Sequence, residues 1–163
     1  MGAAICGCSK IIAVDVNEKR LEMAGNLGAT HVINPSKTDP VGKVYELTDG
    51  EGADYALECV GIPEVFQNAV YSIHTSGVCG LVGFPPQGTE VTLEMGSILW
   101  GRTIRGIIEG DSVIDVFIPK LINFYKAGKL PFDRLVQTYS FSEVEKACND
   151  LKNGLVFKPI LQF

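Results

Sequence analysis

A chain of 163 residues is long enough for one domain with a substantial core, and nothing in it suggests two complete ones. Its net charge of −5 comes from interspersed signs, leaving no basic face for nucleic acid and no polybasic segment for a membrane surface. No apolar run approaches the roughly 20 residues of a membrane span, and the N-terminus lacks the zones of a signal peptide, so cytoplasm is the expected compartment.

Residues 1–8, small and apolar, suit the last turns of a helix ending near Gly7. Residues 11–14 form a short β-branched run that predicts a buried strand, stopped by Asp15 and followed by a polar, helix-prone stretch. Leu21, Ala24 and Leu27 repeat at helical spacing, Gly28 fits a helix C-terminus, and His31 to Ile33 begins a second strand. Asp15 therefore lies inside a β-α-β unit. A carboxylate at the carboxyl end of such a strand stands where open α/β sheets bind ligands, and there it can accept both hydroxyl hydrogens of an adenosine ribose. The plainer reading is a turn or N-cap residue satisfying free backbone amides.

Residues 40–47 predict a helix, and the breaker cluster at 48–52 precedes a strand ending near Gly61. Glu58 in that strand is open to an acid–base role, but a single carboxylate without a mapped partner reads as a paired or partly exposed strand residue. Pro63 suits a first helical turn, with Val65, Phe66, Ala69, Val70 and Ile73 as the buried stripe; the helix should stop before Gly77, which makes His74 a C-terminal cap. Residues 78–82 are the next strand, ended by Gly83-Phe84-Pro85-Pro86 with a glycine that lets a ligand approach the backbone. A short extended piece at 90–93 and a short helix to Trp100 lead to a strand at 103–108. Ser112 or Asp111 would cap an amphipathic helix with a stripe through Val113, Val116, Phe117, Leu121, Phe124 and Tyr125, ended by Gly128. A strand at 135–139, a helix to Lys152 opened by a Ser142/Glu145 capping box, and a strand at 158–163 complete the chain.

The five cysteines, 6, 8, 59, 79 and 148, lie mostly in apolar surroundings and read as free buried thiols. Cys6 and Cys8 have metal-like spacing but no companion ligands, so no metal site and no catalytic residue is assigned.

The succession IIAVDVNEKRLEMAGNLGATHVINP, GADYALECVG, GVCGLVGFPP, GRTIRGIIEGDS and FSEVEKACNDLKNGLVFKPILQF resembles the carboxyl-terminal half of zinc-type, medium-chain alcohol dehydrogenases across essentially the whole chain. IIEGDS, FIPKLINFYKAGKLPFDRLV and the KPI ending are most similar to aryl-alcohol (benzyl alcohol) dehydrogenases. The resemblance implies an incomplete doubly wound (Rossmann) parallel α/β sheet at residues 1–110, without its first strand and glycine turn. Residues 111–163 would be helices and strands reaching toward an absent catalytic domain. It implies that Asp15 binds the adenosine ribose and selects NAD over NADP, because a 2′-phosphate beside a carboxylate is repelled. Arg20 would flank that ribose and Val60 would line the adenine and ribose side. Val82, Gly83 and Phe84 would lie along the nicotinamide ribose and carboxamide. Lys158 would stand near the pyrophosphate, with charge but no bidentate fork. Residues 103–108 would be the edge strand that pairs across a homodimer.

The family's zinc ligands, proton relay, first strand and glycine turn have no counterpart here. The first strand is central in the order 3-2-1-4-5-6, so its loss exposes two sheet edges. These are expected to be satisfied by pairing, rearrangement or exchange with another copy, or by chain preceding Met1. The implied activity is oxidation of primary, aryl alcohols to aldehydes with hydride transfer to NAD. This chain alone is expected to be inactive and to bind NAD weakly or not at all. The alternatives are a non-catalytic remnant or assembly domain, and a polyol, threonine or quinone-reducing relative.

Overall fold

The computed structural model describes residues 1–163, which divide into two compact units. The first comprises residues 1–11, 17–31 and 114–163; the second comprises 12–16 and 32–113.

The second unit carries two sheets. Strand β1 (Ile12–Val14) pairs with β2 (His31–Ile33), while β3 (Ala53–Glu58), β4 (Ile73–Leu81) and β5 (Thr103–Gly106) form a parallel sheet in that order. Helices α3 (Pro40–Leu47) and α4 (Pro63–Ser72) accompany them, each started by a proline whose missing N–H costs nothing at that position. The Asp39 carboxylate also caps α3 by accepting from the amides of Val41 and Gly42. The core is Phe66, Val70, Ile73 and Cys79, with Ala53, Ala56, Leu81 and Ile104 packed against it. Here α4 lays its apolar stripe on the inner face of β3 and β4. The opposite face is open: Tyr55 and Leu57, two residues apart and so on one side of β3, are 73% and 65% exposed.

No hydrogen-bonded ladder joins β1 to β3. Rearrangement within the chain, one of the expected ways of satisfying the two edges, is therefore not how this fold resolves them. Helix α4 passes into β4 without a loop, so His74 is a strand residue and not the helix cap expected from sequence. Its Nδ1 accepts the amide of Ser76 and its Nε2 faces Asp54 Oδ1 at 3.1 Å, which fixes the Nε2–H tautomer. Residues 90–93 join no ladder. Gly52, at φ +88°, lies so close to the His74 amide that a Cβ would stand 2.8 Å from it. That contact settles why the breaker cluster ends in glycine.

The first unit holds α1 (Gly2–Ile5), α2 (Glu18–Asn26), α6 (Ile114–Lys126), and a β6 (Val136–Ser140), α7 (Val144–Lys152), β7 (Lys158–Gln162) crossover with parallel strands. Asn17 caps α2, its Oδ1 accepting from Lys19 and Arg20 amides. Tyr139, Ala147 and Val156 form the core. The capping box uses Ser140 and Glu143, two residues earlier than expected, because a turn of 3-10 helix precedes α7. Ser112 donates to the Glu109 carbonyl within its own turn and Asp111 pairs with Arg105 of β5, so both expected α6 caps are engaged with residues that precede the helix. The apolar stripe of α6 is present, yet none of its residues is buried.

Candidate functional site

The carboxyl ends of β3 and β4 meet at one level, Glu58 pairing in register with Leu81. Glu58 then gathers both exits. Its main-chain carbonyl accepts the amides of Val82 (2.8 Å) and Gly83 (3.0 Å), and its side-chain Oε1 accepts those of Val60 and Gly61, both at 2.7 Å. The residue is 1% exposed, and Oε2 has no hydrogen-bond partner. The expectation of a paired or partly exposed strand residue is thus corrected: four amides from two turns converge on it, and those turns come together only through the β3–β4 register.

The turns touch through their backbones. A Cβ on Gly83 would stand 2.2 Å from the Gly61 nitrogen and 2.6 Å from Glu58 Oε2. A Cβ on Gly61, which sits at φ +81°, would meet the Phe84 carbonyl at 2.7–2.8 Å. Above this interlock the side chains of Val60, Val82 and Phe84 are exposed, Phe84 by 94%. The result is an apolar lip on a locked backbone at the ligand-binding end of a parallel sheet.

Of the residues singled out from sequence, Val60, Val82, Gly83 and Phe84 are brought together here. Asp15 follows β1 in the same unit, its amide donating to the Ile33 carbonyl at 3.2 Å. Arg20, in α2, and Lys158, first residue of β7, belong to the other unit. Glu58 and Gly61 were missed as site residues. The signal was a carboxylate closing a strand with glycine three positions later, a spacing that lets the side chain cap its own turn.

Buried beside Glu58, Cys79 has its thiol pKa pushed up to about 11, first by loss of solvent and then by the carboxylate charge. The folded value lies above the unfolded one, so this contribution to stability is intact below the ordinary value of 9.0 and lost as pH rises through about 11. Melting temperature should therefore fall over that window, and Cys79→Ala should flatten the fall. Equal slopes in both proteins would remove Cys79 as its cause. The other four cysteines are exposed, against the expectation of buried thiols. Local apolar sequence does not report which way a side chain faces.

No group of three or more His, Cys, Asp or Glu residues is placed to hold a metal ion, so the donor set of a zinc site does not fit this chain. The nucleotide fits better. A carboxylate follows β1, at the kind of strand end where open parallel sheets take an adenosine ribose.

The fold and this site define the coenzyme-binding half of a medium-chain dehydrogenase. A family profile described as zinc-binding dehydrogenase matches residues 1–126, and the chain belongs to that family. It is 32% identical to geraniol dehydrogenase of Castellaniella defragrans over all of this chain and 44% of that protein. It is also 36% identical to alcohol dehydrogenase class-2 isozyme 2 of Oryctolagus cuniculus over 99% of this chain and 43% of that protein. Among solved structures, benzyl alcohol dehydrogenase of Acinetobacter calcoaceticus matches with a TM-score of 0.96 and 43% identity, over 99% of this chain and 44% of that one. The chain thus spans less than half the length of these relatives.

Proposed function

We propose that this chain is the coenzyme-binding portion of an NAD-dependent oxidoreductase that converts primary aryl alcohols to aldehydes. The observation that carries the reading is the pairing, in one unit, of Asp15 at the end of β1 with the Val60/Val82–Phe84 lip at the ends of β3 and β4. The aryl preference is supported by the likeness to benzyl alcohol dehydrogenase. When bound, NAD supplies the hydride acceptor. The chain's own part is to accept the ribose hydroxyls at Asp15, to line the adenine and ribose side with Val60, to lie along the nicotinamide side with Val82 and Phe84, and to let Gly83 come close to the ligand. Lys158 would face the pyrophosphate. The functional boundary near residue 110 and a dimer through β5 belong to the same proposal; β5 is the terminal strand of its sheet, with one edge unpaired in the chain.

A second reading, an assembly domain, is favoured by the uncovered α6 stripe and the open face of β3.

Calorimetric titration of the purified chain separates the two. Weak but saturable NAD binding is the outcome that supports the coenzyme reading, with Asp15→Ala weakening it further by about tenfold to a hundredfold, the size of a lost charge-assisted hydrogen bond. NADP should bind less well than NAD, and the gap should narrow in the variant. No NAD binding up to millimolar concentration by a folded chain would overturn the coenzyme reading. Sedimentation of the same sample reads the dimer, and a monomer throughout would remove it.

A further inference from the structure

We infer that Glu58 is a positioning residue for the nucleotide lip, a tie that makes the Cys59–Gly61 and Val82–Phe84 arms move as one. The inference rests on the coenzyme reading for its purpose, but its geometry stands independently. Both arms leave parallel neighbours at the same register, and each is fastened to Glu58 by two amides: one arm to the side chain, the other to the carbonyl. Val82 and Gly83 bond to main chain, which any residue provides. Val60 and Gly61 bond only to the carboxylate among the contacts at this end of the strand, so this arm depends on the identity of residue 58.

The unpartnered Oε2 completes the argument. It is buried, makes no hydrogen bond, and lies against Gly83, where a Cβ would stand 2.6 Å from it. An orphan carboxylate oxygen in an enclosed place is costly to keep, so space filling alone is a poor account of it. Its position has a mechanical consequence instead. A ligand that presses on Gly83 presses on the carboxylate, and the same carboxylate holds the amides of Val60 and Gly61. Contact at the arm expected beside the nicotinamide is thereby passed to the arm expected beside the adenine and ribose.

The length of the side chain is part of the design. Glutamine keeps one oxygen able to accept two amides at the same reach, whereas aspartate is one methylene short and alanine has no acceptor. The test uses the full chain with Glu58→Gln, Glu58→Asp and Glu58→Ala, read by amide hydrogen exchange at Val60 and Gly61 and by NAD titration. In the ligand-free wild type and in Glu58→Gln both amides should be protected. In Glu58→Asp and Glu58→Ala they should exchange at least about tenfold faster, while core amides of β4 stay protected. NAD affinity should follow the same split, within about threefold of wild type for glutamine and about tenfold or more weaker for the other two. Should Glu58→Ala not fold, Glu58→Asp carries the comparison. Unchanged exchange at Val60 and Gly61 in Glu58→Asp, or loss of protection in Glu58→Gln, would overturn the tie. Protected amides in a wild-type chain that binds no NAD would leave the tie standing and sink the coenzyme reading alone.

Discussion

Gly83→Ala should lower the unfolding free energy by about 3 kcal/mol or more, near the upper end for overpacking a filled site. A single methyl group is enough because of what it meets. The nearest atom would be the Gly61 nitrogen at 2.2 Å, followed by the Val60 nitrogen and Glu58 Oε2, both at 2.6 Å. Two of the three are backbone, and the third belongs to a buried side chain that already holds two amides. None can turn aside as the end of a flexible side chain would. Gly88 is the control: it sits at φ +83° but has nothing within 4 Å, so Gly88→Ala should cost only about 1–2 kcal/mol from its left-handed backbone. Chemical denaturation of both variants ranks them. A smaller loss for Gly83→Ala than for Gly88→Ala would mean that the two turns are not interlocked.

The second large effect is expected at Arg102. Its Nε and Nη2 donate to the Ile73 carbonyl at 3.0 and 2.8 Å, Nη1 donates to Ser97 at 2.9 Å, and Nη2 also reaches the Tyr45 hydroxyl at 3.1 Å. One planar group thus fastens α3, the α4–β4 junction and α5 (Met95–Leu99). The Ile73 carbonyl sits where helix becomes strand without a loop, on a residue that is fully buried. Arg102→Met keeps most of the packing but removes the guanidinium bonds to the Ser97 and Ile73 carbonyls. Ile73 is left only the long Tyr45 hydroxyl contact at 3.5 Å, and each carbonyl that loses its partner costs about 1–3 kcal/mol. A loss of about 3 kcal/mol is expected in urea denaturation. Arg102→Lys should recover little of it, because a point ammonium cannot span three acceptors in separate directions. Full stability in the lysine variant would show that charge, and not the fork, is what this position needs.

Much of the architecture was legible in the residues. Helix starts at Pro40 and Pro63, the strand ending at Asp15, and the glycines closing helices and turns are local chemistry written over a few positions. What escaped was chemistry that spans distance. Glu58 reads as a surface charge until β3 and β4 are set in register and two turns deliver their amides to it. Arg102 binds groups 29 and 57 residues away, which no local pattern announces. His74 was assigned to a helix end because nothing between Ser72 and Ile73 resembles a break. The α6 stripe has the period of a buried face, but period states only that one side is apolar; it does not supply a partner.

The composition of the first unit has a consequence for synthesis. Its β6–α7–β7 crossover is local, with Val136 opposite Lys158 and Ser140 opposite Gln162, an offset of 22 residues throughout. Such a loop closes at modest entropic cost. Residues 1–11 and 17–31, by contrast, share their unit with residues 114–163. At about 5–20 residues per second, the 83 residues from 31 to 114 take roughly 4 to 17 s to be made. During that interval residues 32–113 of the second unit emerge, before any of residues 114–163 of the first unit has been made. The first unit is therefore complete only after the last third of the chain has been made.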